Sequence, residues 1–262
     1  MRVKEMWHSF YRKFQRLVWG YQKYRLVIDM PKVFVSNESE RCGATWIQTE
    51  KQNRVWDQKT IEKFYHVMQK NGSNSDFVVF DIGAQTGCFT LLAKFFPHSK
   101  WYAFEPIKEA SHELQRNLAK NRIQQVAVYP CAVSNKQGVV NLKLPSDTHW
   151  GLATLGSTPH RFKEYQVRQV PSIVLDEFAT SNNIQKVDFM KIDTEGWEFF
   201  VLQGARNLIR KYSPVILMEL NEDNLIQTGV TKKDIYQLLE EMNYTYESFS
   251  EDDILCRPIR KI

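Results

Sequence analysis

The chain is predicted to fold as an α/β protein, a doubly wound and mostly parallel sheet that carries an N-terminal extension. Three observations support this. Short apolar runs of strand length alternate with segments of ten or more residues whose apolar positions recur at helical spacing, the pattern of βαβ units. The first run, Phe77-Val-Val-Phe80, leads into Asp81 and a loop bearing Gly83 and Gly87. The second run, Trp101–Phe104, ends in an acid, Glu105. In a doubly wound sheet both features stand at the carboxyl ends of strands, where ligands bind.

Residues 1–70 form the extension. From Met1 to Asp29, Met6, Phe10, Phe14, Leu17 and Tyr21 recur at three- and four-residue spacing with basic residues between them, which predicts a basic amphipathic helix. Such a helix either caps the domain or docks residues 1–30 on an anionic membrane surface. Pro31–Asn53 is polar and β-prone without helical period, and Asp57–Gln69 then places Ile61, Phe64, Tyr65 and Met68 on one helical face. Asn71-Gly-Ser-Asn-Ser75 has the residues of a turn.

The main domain is predicted to span residues 71–262. After Phe77–Phe80 come a helix over Thr86–Phe96, a strand over Trp101–Phe104, a helix over Ile107–Asn121 with Leu114 and Leu118 inward, and a strand over Val126–Tyr129. Between Ser134 and Val174 the alternation breaks into two extended pieces, Val139–Leu144 and Val167–Ile173. They are separated by a loop in which, or near which, lie Asp147, His149, Trp150, His160 and Arg161. This reads as an insertion over the sheet. The pattern resumes with a strand at Val187–Ile192, a helix at Trp197–Lys211, a strand at Val215–Leu220 and a helix at Lys232–Asn243. Thr245–Phe249 and Ile254–Ile259 are expected to pair as an antiparallel hairpin at the sheet edge.

Composition narrows the function classes. Hydrophobic residues at 43% and charged residues at 25% are ordinary values for a folded domain and argue against a disordered chain. The formal net charge of +5 is too modest to point to nucleic acid. Cys42, Cys88, Cys131 and Cys256 are far apart and form no zinc or disulfide pattern, which fits a cytoplasmic setting. No run approaches the ~20 apolar residues of a membrane span, and the start lacks the pattern of a secretory leader.

The loop Phe80-Asp-Ile-Gly-Ala-Gln-Thr-Gly87 carries the chemistry. A dinucleotide fingerprint needs a second glycine where Gln85 stands, and a phosphate loop needs a Gly-Lys-Ser/Thr that is absent. What remains is a glycine loop entered by an acid, suited to a cationic ligand with an amino acid group, a description that fits S-adenosylmethionine. Gly83, Ala84, Gln85 and Gly87 would cradle it, with Asp81 as an acceptor. Glu105, followed by Pro106, stands where Rossmann-like folds place the acid that accepts both ribose hydroxyls. Ala132, within Cys131-Ala-Val133 after the third strand, would flank the adenine.

With these residues in view, the chain resembles the FkbM-type methyltransferases, a class I S-adenosylmethionine-dependent family. The likeness runs from about Phe77 to Leu220. Its ordered motifs are the glycine loop, Phe104-Glu-Pro106, Asn117-Leu-Ala-Lys-Asn121, Cys131-Ala-Val-Ser134, Leu175-Asp176 and Asp188-Phe-Met-Lys-Ile-Asp-Thr-Glu-Gly-Trp-Glu198. Gln85 departs from the Gly-Ala-Asn usual in that family. The resemblance implies a seven-stranded sheet with one antiparallel edge strand, and O-methylation of a hydroxyl on a sugar, glycan or secondary metabolite.

Asp193 and Glu195 end the fourth strand, across the switch point from the glycine loop. Asp193 is therefore expected both to touch the cofactor and to act as base or orienting group, with Glu195 assisting. His149 is a further candidate base from the inserted loop. Asp193, Glu195, Glu198 and Glu219 could offer oxygens to Mg²⁺, an assignment not favoured over Glu195 capping the next helix and Glu198 facing water on it. The rival functions are methylation of RNA or protein, and a catalytically inactive cofactor-binding scaffold. The presence of Asp81, Gly83, Gly87, Glu105, Asp193 and Glu195 together argues against the scaffold.

Overall fold

The computed structural model describes residues 21–24, 33–36, 58–72, 76–145, 150–157 and 164–259. A seven-stranded sheet forms the centre. It is built from β3 (Val78–Ile82), β4 (Lys100–Phe104), β5 (Val126–Tyr129), β9 (Phe189–Ile192), β10 (Val215–Glu219), β11 (Tyr244–Ser248) and β12 (Asp253–Pro258). Its order is β11-β12-β10-β9-β3-β4-β5. The chain moves outward from β3 to β4 and β5, then returns to the other side of β3 with β9, so the topological switch lies between β3 and β9. Those two strands are parallel, with Asp81 opposite Lys191 and Ile82 opposite Ile192.

The hairpin of β11 and β12 takes the sheet edge as expected. The strand that runs against its neighbours is β12, one place in from the edge and antiparallel to both β10 and β11.

Alternation along the buried strands splits the core into two layers. Val79, Trp101, Ala103, Phe189, Leu217 and Leu255 face one way. Phe80, Tyr102, Phe104, Met190, Ile192, Ile216 and Cys256 face the other. The first layer is covered by α1 (Gln58–Gly72), a 3₁₀ helix (Thr90–Phe95) and α2 (Lys108–Asn121). The face predicted for α1 is the one it buries: Ile61, Phe64, Tyr65 and Met68 are all buried, and Phe64 packs edge-on against Phe89 and Phe189. This helix runs to Gly72, two residues into the expected turn.

The second layer is covered by α3 (Leu175–Ser181), α4 (Glu198–Gly204), α5 (Arg206–Tyr212) and α7 (Lys232–Glu241). A short α6 (Glu222–Ile226) follows β10. Neither α3 nor α6 was expected; at seven and five residues they are too short for a hydrophobic period to show.

The inserted segment is a separate three-stranded sheet of β6 (Ala132–Val133), β8 (Tyr165–Ile173) and β7 (Gly138–Pro145), in that order. It buries Leu142, Leu144 and Val170 against Ile107 and Ala110 of the α2 region.

Three expectations are corrected. Tyr21–Tyr24, assigned to the end of an N-terminal helix, is a strand, β1, paired antiparallel with β2 (Val33–Ser36). The remainder of the basic segment lies outside the described residues. Thr86–Phe96 is a turn followed by 3₁₀ helix instead of an α-helix. The Thr90 hydroxyl there is committed to Asp81, and Leu92 and Phe96 bond to carbonyls three residues back. Trp197–Lys211 is two helices, α4 and α5, broken at Ala205. Gly204 lies so close to the chain that a Cβ would come within 2.2 Å of the Ser134 carbonyl oxygen. The Asp176 carboxylate then accepts from the backbone N–H of Asn207 and Leu208 and starts the second helix afresh.

Candidate functional site

A cavity of about 340 Å³ opens at the carboxyl ends of β3, β4, β9 and β10, within the range of small-molecule sites. One end is apolar, formed by Phe104, Ile107, Cys131, Ala132, Val133 and Leu142. The other is polar, with Lys191, Asp193, Glu195, Glu219, Asn221 and Asn224. Gly83, Ala84, Gln85, Glu105 and Pro106 also line it. The strand order thus gathers Gly83, Ala84, Gln85, Glu105, Pro106, Ala132, Asp193 and Glu195 around one space, although they are spread over more than a hundred residues of sequence.

Gly83 allows this convergence. Its φ is +79°, and a Cβ would fall 1.8 Å from the Asp193 carbonyl oxygen, so no side chain fits between the loop and the end of β9. Its N–H and that of Ala84 both donate to the Phe104 carbonyl. Gly87 stands apart from the cavity lining, packed against Leu114 of α2.

Asp81 departs from its expected position. Its carboxylate is fully buried and absent from the cavity lining. It accepts from the Thr90 hydroxyl and lies 3.8 Å from Lys191 Nζ. Burial raises its pKa, against the pull of Lys191 and Thr90. Asp81 braces the loop from beneath.

Glu105 is 5% exposed, and its two oxygens accept from the N–H groups of Gln85 and Ile107, each at 2.8 Å. Burial pushes its pKa up to about 7, while those two N–H donors hold it down. A carboxylate with free lone pairs is thus fixed at the junction of the glycine loop and the apolar end. Beside it, burial pushes the Cys131 thiol up to about 12, so it remains a thiol at neutral pH.

At the polar end Asp193, Glu195 and Glu219 each place a carboxylate oxygen within 4.8 Å of the others. Glu219 is pushed up to about 11, first by Asp193 beside it and then by burial. The two carboxyl groups are a coupled pair, and their mutual repulsion together with burial favours the pair sharing a proton. Lys191 Nζ stands 3.1 Å from Asp193 on the other side. The cluster thus has a cation of its own in Lys191. Glu195 accepts from the Asn224 amide at 2.7 Å and has a left-handed φ of 52°.

Glu198 was expected to face water and Glu195 to cap the helix; the roles differ. Glu198 is 1% exposed, and its Oε1 accepts from the backbone N–H and hydroxyl of Thr194 and from the Gly196 N–H. The helix start turns this side chain back into the strand-end loop, where burial pushes its pKa up to about 7. Glu198 therefore shapes the loop carrying Asp193 and Glu195.

His149, Asp147, His160 and Arg161 lie outside the described residues. Trp150 lies in a short 3₁₀ turn, Trp150–Leu152, whose Gly151 and Leu152 border the cavity. Lys191 was missed by sequence reasoning. The signal was present, since a lysine inside an otherwise apolar central strand requires a buried partner.

Comparison with known proteins agrees with this geometry. The Methyltransferase FkbM domain matches residues 81–246, from the end of β3 into β11. Hexuronic acid methyltransferase AglP of Haloferax volcanii is 25% identical over 175 residues, which are 67% of this chain and 66% of AglP. 2-O-methyltransferase NoeI of Sinorhizobium fredii is 23% identical over 197 residues, 70% of this chain and 79% of NoeI. Among solved structures, the METTL16 MTase domain is 12% identical with a TM-score of 0.51, over 97% of this chain and 91% of that one, a likeness of fold. Because the matched span takes in the glycine loop, Glu105 and the Asp193–Glu195 strand end, the chain belongs to the FkbM methyltransferase family.

Proposed function

We propose that the protein transfers the methyl group of S-adenosylmethionine to a hydroxyl oxygen of a sugar or glycan. The observation that carries this is one cavity in which a buried glutamate joins an apolar end to a cluster of carboxylates. The residues present suit the cofactor: Glu105 offers lone pairs for two ribose hydroxyls, and Phe104, Ile107, Ala132 and Leu142 form an apolar slot for a flat base. When bound, S-adenosylmethionine supplies an electrophilic methyl on a sulfonium. The sugar acceptor is supported by the names of the two relatives, one specifying a hexuronic acid and the other a 2-O position.

The chain's own residues then have distinct tasks. Asp193, held between Lys191 and Glu219, orients the acceptor hydroxyl and takes up its proton. Glu195, fixed by Asn224, and the amides of Asn221 and Asn224 offer further partners for vicinal hydroxyls. Positioning supplies much of the acceleration in an in-line displacement.

The test is transfer of labelled methyl to a panel of neutral sugars, uronic acids, glycans, nucleosides and peptides. Label on a sugar oxygen is the expected result; label on RNA or protein alone would replace the acceptor assignment. Asp193→Asn should lower turnover about 100-fold or more while S-adenosylhomocysteine affinity stays within a few-fold. Undiminished turnover would remove Asp193 from the mechanism.

A further inference from the structure

We propose that Lys191 is a positioning residue that ties the cofactor loop to the acid at the acceptor end, so that the two halves of the site are set by one ammonium group. This rests on the methyltransferase reading above and assigns a role to a side chain that acts through Gly83 and Asp193.

The argument begins with strand register. Lys191 lies on β9 directly opposite Asp81 on β3 and Leu217 on β10, and is 5% exposed. Its stem runs along the same face as Phe189, two residues earlier, and its ammonium passes 5.0 Å from the Phe89 ring centroid. At the strand end Nζ donates to the Gly83 carbonyl at 3.1 Å, stands 3.1 Å from Asp193 Oδ2 and 3.8 Å from Asp81 Oδ1.

These partners come from different parts of the site. Gly83 belongs to the loop that cradles the cofactor, Asp193 to the acid cluster, and Asp81 to the brace beneath the loop. Glu219 faces the same group from β10, and Glu195, Glu198 and Asp253 complete the acidic surroundings of Asp193.

Stability alone does not explain such an arrangement, because a buried ion pair is commonly no better for folding than well-packed apolar residues of similar volume. A buried cation bonded at once to a loop carbonyl and a carboxylate does what apolar packing cannot. It fixes the distance between them and places a positive charge 3.1 Å from the Asp193 carboxylate. Lys191 thereby couples binding at one end of the cavity to geometry at the other.

The experiment compares wild type, K191R, K191M and the charge-balanced K191M/D81N, the last guarding against misfolding caused by an unpaired buried acid. S-adenosylhomocysteine affinity is measured by calorimetry, and the Gly83 carbonyl ¹³C resonance is followed with and without D193N. The expected result is affinity about tenfold or more weaker in folded K191M/D81N and recovered to within about threefold by K191R. The Gly83 resonance should move markedly more on D193N in the wild-type background than in K191M/D81N, where only the direct backbone contact between Gly83 and Asp193 remains.

Affinity within twofold of wild type in K191M/D81N, or a Gly83 response to D193N as large there as in wild type, overturns the proposal. So does failure of both methionine variants to fold, which would make Lys191 a packing residue. Absence of S-adenosylhomocysteine binding in the wild type is a separate result: it defeats the cofactor reading itself and the coupling that depends on it.

Discussion

Glu105 meets two demands that oppose each other with pH. Its folded pKa of about 7 lies above the ordinary glutamate value of 4.5, as does that of Glu198. For groups raised in this way the stabilising contribution is complete below about 4.5 and is lost as pH rises through about 7. The melting temperature of the ligand-free protein should therefore fall between about pH 5 and pH 8. S-adenosylhomocysteine affinity should rise over the same interval, because ribose hydroxyls donate to the charged carboxylate. Calorimetric titration of wild type and Glu105→Gln checks this: the wild-type affinity climbs with pH and the variant's stays flat and weaker. A second expectation concerns the cluster of Asp193, Glu195 and Glu219. Lys191 stands 3.1 Å from Asp193 and already offsets part of its charge, so millimolar Mg²⁺ should move the melting temperature by less than about 1 °C, and a larger rise would reveal a bound cation. Glu105, Asp193 and the glycine loop were legible in the sequence because each stands at a strand end with its own spacing. Asp81 and Glu198 were misjudged: a residue's place in an element says where its backbone goes, whereas these side chains fold back toward donors supplied by distant or neighbouring turns.

Between strands the control passes to single polar contacts. Asp176 joins α3 to α5 by accepting from two N–H groups at the start of α5, 31 and 32 residues away. Asp176→Ala should cost about 1 kcal/mol, lowering the melting temperature by roughly 2–4 °C with little change in ligand affinity. A thermal melt with and without S-adenosylhomocysteine measures both. The same contact shows why the break between α4 and α5 was illegible. Apolar residues at Val201, Leu202, Ala205, Leu208 and Ile209 keep a helical period across it, and the interruption depends on the approach of the Ser134 carbonyl to Gly204. The alternation of strands and long helices was readable from local pattern; the short helices and the 3₁₀ turn were not, because tertiary partners decide them.

At the scale of the whole molecule, α1 belongs to the core of the sheet domain. Phe64 is fully buried among Phe89 and Phe189, and the Thr60 hydroxyl donates to Asp253 on β12 at 2.8 Å. Phe64→Ala should cost about 3–5 kcal/mol by urea denaturation. A chain beginning at residue 76 should lack a cooperative transition, while a truncation that unfolds like the full protein would detach residues 58–72 from the folding unit. The neighbourhood of β3 and β9 across the switch point was predictable; the order within the far edge was not, since β12 enters between two strands made before it. That insertion has a consequence for biosynthesis. Leu255 and Cys256 are fully buried, and β10 and β11 have no contact in the sheet until residues 253–258 arrive to bridge them. While the ribosome still holds that segment, β10 presents an open apolar edge to other chains. The nascent protein is therefore exposed to misassembly until residues 253–258 have left the ribosome, and chaperone dependence should concentrate in that interval.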